Sequence, residues 1–215
     1  MKTNKAKVAV IGLGNIGKVV ASNLVKGNRE VIVASQKLED AKANATNLGS
    51  LAMADVKTAI KEADIVVMSV WFSTIQELFK QYATELQDKI VIDPSNPIAP
   101  DGKGGFKKII GADESAGQIL KGLLPKGAIL VKALGSLGAA SLANEAFQNP
   151  IKVLFYASDD TSVNNTVEEL IKDNGYEPVN IGGIDQSIRM EVFGELHEFG
   201  ALGKAITKSE LKQTV

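Results

Sequence analysis

The chain has 215 residues, 45% hydrophobic and 23% charged, with a formal net charge of -1. This suits one large soluble α/β domain, or one with a small appendage, and offers no broad basic field for a nucleic-acid partner. The absence of cysteine excludes disulfides, thiolate metal sites, a thiol nucleophile and cysteine-ligated iron–sulfur clusters, and fits a cytoplasmic protein.

In chain order, the opening MKTNKAK carries charge but no apolar core, so it does not read as a signal peptide. A strand is predicted over 7–11, then a helix over 16–26 with Val19, Val20 and Leu24 inward. A strand at 30–34, a polar helix at 38–47, a short strand at 51–53 and a helix at 56–62 follow. DIVVMSV (64–70) is a strand apolar on both faces, succeeded by a helix at 75–86 and a strand at 89–93. Residues 94–106, PSNPIAPDGKGGF, are too rich in Pro and Gly to show either period and read as a long loop, functional or mobile, with a plain surface excursion as the alternative. Beyond it come a helix (112–124), strands (128–134 and 151–157), a helix (162–173) and a strand (176–181). A long helix from Ile184 to about Thr207 closes the series. Apolar strands alternating with amphipathic helices imply a Rossmann-type doubly wound, mainly parallel sheet with extra C-terminal strands and a long terminal helix. The apolar runs are strand-sized, so no membrane span is expected. With neither a repeat nor a linker visible, residues 1–215 read as one domain.

GLGNIG fits G-x-G-x-x-G where the fingerprint requires it, after a first strand and opening a helix. Gly12 permits the turn, Leu13 lies between the glycines, and Gly14 lets a pyrophosphate approach the backbone. Free N–H groups of Asn15 and Ile16 then face the phosphates. An NAD site usually carries an acid about 20 residues later to bind the ribose 2′-hydroxyl. That point reads Ser35-Gln36-Lys37, with no carboxylate before Glu39. A hydroxyl and a cation suit a 2′-phosphate, so NADP(H) is expected over NAD(H). Ser69, Val70 and Trp71 end the fourth strand on the side where open α/β sheets bind ligands. Trp71, the only tryptophan, either walls the cofactor groove or caps the core. Asn96 and Pro97 are similarly placed, and Asn96 either bonds ligand or organises its own turn.

The order of these motifs resembles the NADPH-dependent coenzyme F420 reductases (F420H2:NADP oxidoreductases), relatives of the reductase domains of the STEAP metalloreductases. IGLGNIGK, ASQKLEDAKA, DIVVMSVW and DPSNPI carry the first half of the resemblance. SAGQILKGLLPKGAILVKAL, YASDD and GYEPVNIGGIDQSIRMEV carry the second. The resemblance implies NADP(H) across the strand ends and direct hydride transfer to an F420-like deazaflavin or flavin. Such transfer needs orientation more than catalytic side chains, so no catalytic residue and no metal is assigned. It places Ala133, Leu134 and Gly135 beside the nicotinamide, and the chain from about 136 completes an acceptor pocket and a homodimer interface. Departures are Gln36, where the family has arginine, and ALGSL (133–137), where relatives carry an asparagine-threonine or histidine-threonine pair.

Other polar residues have plainer readings. His197, the only histidine, is expected on the surface of the last helix, with a general-acid role as the alternative. Asp159 and Asp160 are expected to start a helix. Arg189 and Glu191 are either a cofactor-side anchor or an interface pair. Competing functions are an NADPH-dependent reductase of a small imine or carbonyl, and a non-catalytic NADP(H) sensor.

Overall fold

The β-branched runs become a sheet buried on both faces in a computed structural model that describes residues 5–48 and 52–214. Its strands are β1 (Val8–Ile11), β2 (Val31–Ala34), β3 (Ala52–Met53), β4 (Ile65–Met68) and β5 (Ile90–Asp93). After a separate antiparallel hairpin, β6 (Ile98–Pro100) and β7 (Phe106–Lys108), come β8 (Ile129–Ala133), β9 (Val153–Ser158) and β10 (Glu177–Asn180). The spatial order is β10-β9-β8-β5-β4-β1-β2-β3. From β3 to β8 all neighbours are parallel, whereas β9 meets β8 antiparallel and β10 parallel. The strand order reverses between β1 and β4, which opens the crevice where doubly wound sheets take ligands. Of the strand predicted at 51–53, Leu51 lies outside the described residues.

Alternate side chains of each strand feed opposite cores. Val8 and Val10 join the layer of α1 (Asn15–Lys26), α2 (Leu38–Leu48), α6 (Ala139–Asn144) and α7 (Asn164–Asp173). Ala9 and Ile11 join the layer of α3 (Val56–Glu62), α4 (Phe72–Gln81) and α5 (Ala116–Leu123). Among the described residues no helix is long and apolar enough to cross a membrane.

The structure corrects the sequence reading in three places. The expected loop at 94–106 contributes to the β6–β7 hairpin, whose tip is held by Asp101 Oδ1 accepting from Lys103 N and Gly105 N. Three-residue strands are too short to display a period of two. Helix α6 was not anticipated. The long terminal helix does not form: a 3-10 turn over Ile184–Arg189 gives way to irregular chain, and only α8 (Lys208–Thr214) is helical. Glycine weakens a helix by about 1 kcal/mol per position, and the chain uses Gly194 and Gly200 for a close backbone approach in which a Cβ on Gly200 would strike the Gly194 carbonyl. The coil lays Met190, Leu196 and Ile206 against Val153, Phe155 and Ala157 of β9. Asp160 does start a helical turn, its carboxylate accepting from Ser162 N.

This coil buries His197 completely, against the expectation of a surface position. Its Nδ1 accepts from Phe199 N at 3.0 Å. Beneath it lies a charged cluster at the ends of β5 and β8. Lys132 Nζ donates to Asp93 Oδ2 at 2.7 Å and to the Ser95 carbonyl. Glu191 Oε1 stands 3.8 Å from the same ammonium. Glu191 also accepts from Ala116 N and Gly117 N, both at 2.9 Å, at the start of α5. Glu191 is therefore an internal anchor, while Arg189 pairs with Glu195 on the outside.

Two predictions follow from burial. Replacing Lys132 by Met strands two buried carboxylates and should cost about 3–5 kcal/mol, with Asp93→Asn recovering part of it, both read by urea unfolding. Burial pushes the His197 pKa from 6.5 down to about 4, against the opposing pull of Glu198. The unfolded chain then binds a proton that the folded one refuses, so stability falls as pH drops from about 6.5 towards 4. The loss should approach about 3 kcal/mol, and His197→Gln should flatten this part of a pH–melting profile.

Candidate functional site

The C-terminal ends of β1, β4, β5 and β8 open onto one groove of about 1260 Å³. Single small-ligand pockets span about 300–1,000 Å³, so the space exceeds what one modest substrate requires.

At one end lies the glycine turn. Gly12 has φ +91°, and a Cβ there would strike the Ser69 carbonyl, so the residue serves the fold. A Cβ on Gly14 would meet nothing within 4 Å, so nothing in the protein demands glycine at this exposed position. The open face is the room a bound phosphate group needs. Among the described residues no side chain caps α1 and no acid stands in its first turn, which leaves the amides of Asn15 and Ile16 available to an anion. Beside this turn Ser35 Oγ donates to the Lys37 carbonyl and accepts from Lys37 N. That tight turn holds Gln36 and Lys37 exposed on the rim, and Lys37 has no ion-pair partner among the described residues. The glycine turn and the serine–lysine turn thus bring uncapped amides and an exposed lysine to the same groove.

The other end is apolar and aromatic. Trp71, Phe106, Phe193 and Phe199 are 56%, 50%, 53% and 60% exposed, and all four line the groove. Large aromatic rings left this open around one cavity mark a binding surface rather than core. Phe193 adopts φ +70°, a left-handed conformation uncommon for a bulky residue, which turns its ring outward from the coil. Trp71 is thus a wall of the groove and not a cap on the core.

Of the predicted binding residues, Gly12, Gly14, Asn15, Ile16, Ser35, Gln36, Lys37, Ser69, Val70, Trp71, Asn96 and Gly135 line this groove together. Leu13, Pro97, Ala133 and Leu134 are buried behind it and support the turns. Asn96 uses both ends of its amide within the protein, donating to the Gly135 carbonyl at 3.0 Å and accepting from Val192 N at 2.7 Å. It pins the β5 loop, the β8 loop and the terminal coil to one another. The sequence reading missed Ile98, Phe106, Gly138–Ser141 and Val192 as parts of the wall. It also missed Glu198, whose carboxylate accepts from Gly138 N at the start of α6. No motif marks these positions: the β6–β7 hairpin brings Ile98 and Phe106 to the groove, the start of α6 brings Gly138–Ser141, and the folding-back of the terminal coil brings Val192 and Glu198.

Residues 7–97 match the family model described as NADP oxidoreductase, coenzyme F420-dependent. The F420-dependent NADP reductase of Methanocaldococcus jannaschii is 25% identical over 204 residues, covering 88% of this chain and 90% of that protein. A crystal structure of a hypothetical protein from Sinorhizobium meliloti superposes with a TM-score of 0.82 at 25% identity, covering 96% of this chain and 98% of that one. Another, assigned as an F420-dependent NADP reductase from Arthrobacter sp., has a TM-score of 0.73 at 21% identity, with 85% and 87% covered. An imine reductase from Pseudomonas sp. shares the fold at a TM-score of 0.59 and 16% identity, but this chain covers only 56% of it. With the family model matched over residues 7–97 and a relative matched nearly end to end, the resemblance read from the sequence holds: this chain is an oxidoreductase similar to the F420-dependent NADP oxidoreductases.

Proposed function

We propose that the groove binds NADP(H) and passes a hydride between its nicotinamide and a planar redox partner, a deazaflavin of the F420 type or a flavin. The observation that carries this reading is the continuity of one groove from the phosphate-ready turns to the aromatic-rimmed end. Bound NADPH would supply two electrons and one hydrogen as hydride, and the acceptor would take them at a ring carbon or nitrogen.

The protein's part is orientation. The amides of Asn15 and Ile16 with the open face of Gly14 receive the pyrophosphate, and Lys37, presented by the turn that Ser35 closes, receives the 2′-phosphate. Val70 and Trp71 form one wall of the ring end. Gly135, held by Asn96, forms part of its floor. The groove supplies no assembled acid–base dyad: burial keeps His197 neutral at pH 7, and Lys132 is engaged by Asp93. Hydride transfer between two stacked rings needs no such dyad, since alignment of the reacting atoms is the main requirement. Pairing of two copies over the exposed Phe193 and Phe199 belongs to the same reading and would shelter the ring end from water.

Purified protein with NADPH, offered F420, FMN, FAD and small carbonyls in turn, should oxidise NADPH only with the planar ring acceptors. Tight NADPH binding without turnover on any acceptor would replace this reading by that of a sensor. Lys37→Glu should raise the NADPH KM roughly ten- to hundredfold, the equivalent of a lost charge-assisted contact. The NADH KM should stay within about threefold of wild type, and a strong native preference for NADH would contradict the assignment of Ser35 and Lys37.

A further inference from the structure

Glu198 is only 8% exposed, yet it lines the groove. Its backbone N donates to the Ser136 carbonyl at 3.1 Å, which places it beside the loop that follows β8. One carboxylate oxygen, Oε1, accepts from Gly138 N. The other, Oε2, takes part in no hydrogen bond among the described residues, and the side chain lines the groove. The groove lining includes the apolar Leu137, Val192, Phe193 and Phe199 together with His197, whose Nε2 is buried with no hydrogen-bond partner among the described residues. No cation balances this oxygen. Among the described lining residues the only lysine or arginine is Lys37, beside the serine turn at the other end. Lys132 spends its charge on Asp93.

A half-satisfied carboxylate in an apolar wall is costly until something donates to it. Resting on the hydride-transfer reading, we infer that Glu198 selects the acceptor. Its free oxygen receives an N–H that the acceptor presents beside its reacting ring, and its charge repels acceptors that carry a carboxylate there. The imide edge of a flavin or deazaflavin ring supplies such a group.

The test is calorimetric titration of the NADP+-loaded protein. The probes are riboflavin, 3-methylriboflavin (imide N–H replaced by N–CH3), 2-methyl-1-pyrroline and 1-pyrroline-2-carboxylate. Riboflavin should bind and should weaken roughly ten- to hundredfold in Glu198→Gln, whereas binding of 2-methyl-1-pyrroline in place of riboflavin overturns the choice of an imide edge. 3-Methylriboflavin should bind the unaltered protein at least roughly tenfold more weakly than riboflavin, a comparison that does not depend on how the variant folds. The inference is overturned if Glu198→Gln binds the probe as tightly as wild type, or if methylation of the imide changes nothing. Preference for the carboxylate-bearing pyrroline, or failure of both N–H probes, also overturns it. NADP+ titrated alone separates the two readings: its failure to bind sinks the cofactor assignment, whereas normal binding confines any failure to Glu198.

Discussion

A single ammonium group buried between strand ends holds the working face of this protein together. Lys132 sits on a central strand whose neighbours leave it no route to water, so its charge must be met inside. Asp93 meets it from β5, the Ser95 carbonyl from the loop that follows, and Glu191 approaches from the terminal coil. Three segments far apart in sequence are thereby tied at one point. An apolar core could hold the sheet as well, and replacing such a cluster by apolar groups is often neutral for stability. What the cluster adds is direction: it fixes where the β5 loop and the coil leave the sheet, and those two segments form much of the groove.

The same logic governs Asn96 and His197. Each is a residue type that sequence reasoning assigns to chemistry, and each is taken up by the backbone around the groove. Asn96 joins three loops through one amide. His197 accepts from Phe199 N and is held neutral by burial. Polar side chains spent on positioning leave the ring end with few groups able to move a proton. That scarcity agrees with hydride chemistry, in which the reacting cofactors carry the reactivity and the protein supplies alignment.

How far the sequence could be read depends on how local each signal was. β1, β2 and β4 were legible because strands buried on both faces carry unbroken apolar runs. The glycine turn was legible because a turn, a close approach and a helix start fall within six residues. The terminal coil was not. Residues 184–206 carry apolar side chains at near-helical spacing, and the pattern outweighed the glycines that interrupt it. The contacts that decide the matter lie on β9, over 30 residues away in sequence. Glu198 and Phe199 were invisible as site residues for the same reason. The family match is itself confined to residues 7–97, the half where the signals are local.

The groove therefore has a polarity that no short motif records. Its turn end gathers positive potential from the first amides of α1 and from Lys37; its ring end gathers negative potential from Glu198. On the proposed reading, a phosphorylated dinucleotide entering this field would be attracted at one end and repelled at the other, which would favour one orientation before any base or ring contact forms. Glu198 itself is buried, with the Phe199 ring beside it at Gly138, which raises the weight of that one charge over what it would have at the surface. On the proposed reading, the orientation of the cofactor and the choice of its partner rest on opposite charges at the two ends of one cavity, and the glycine fingerprint specifies only the first.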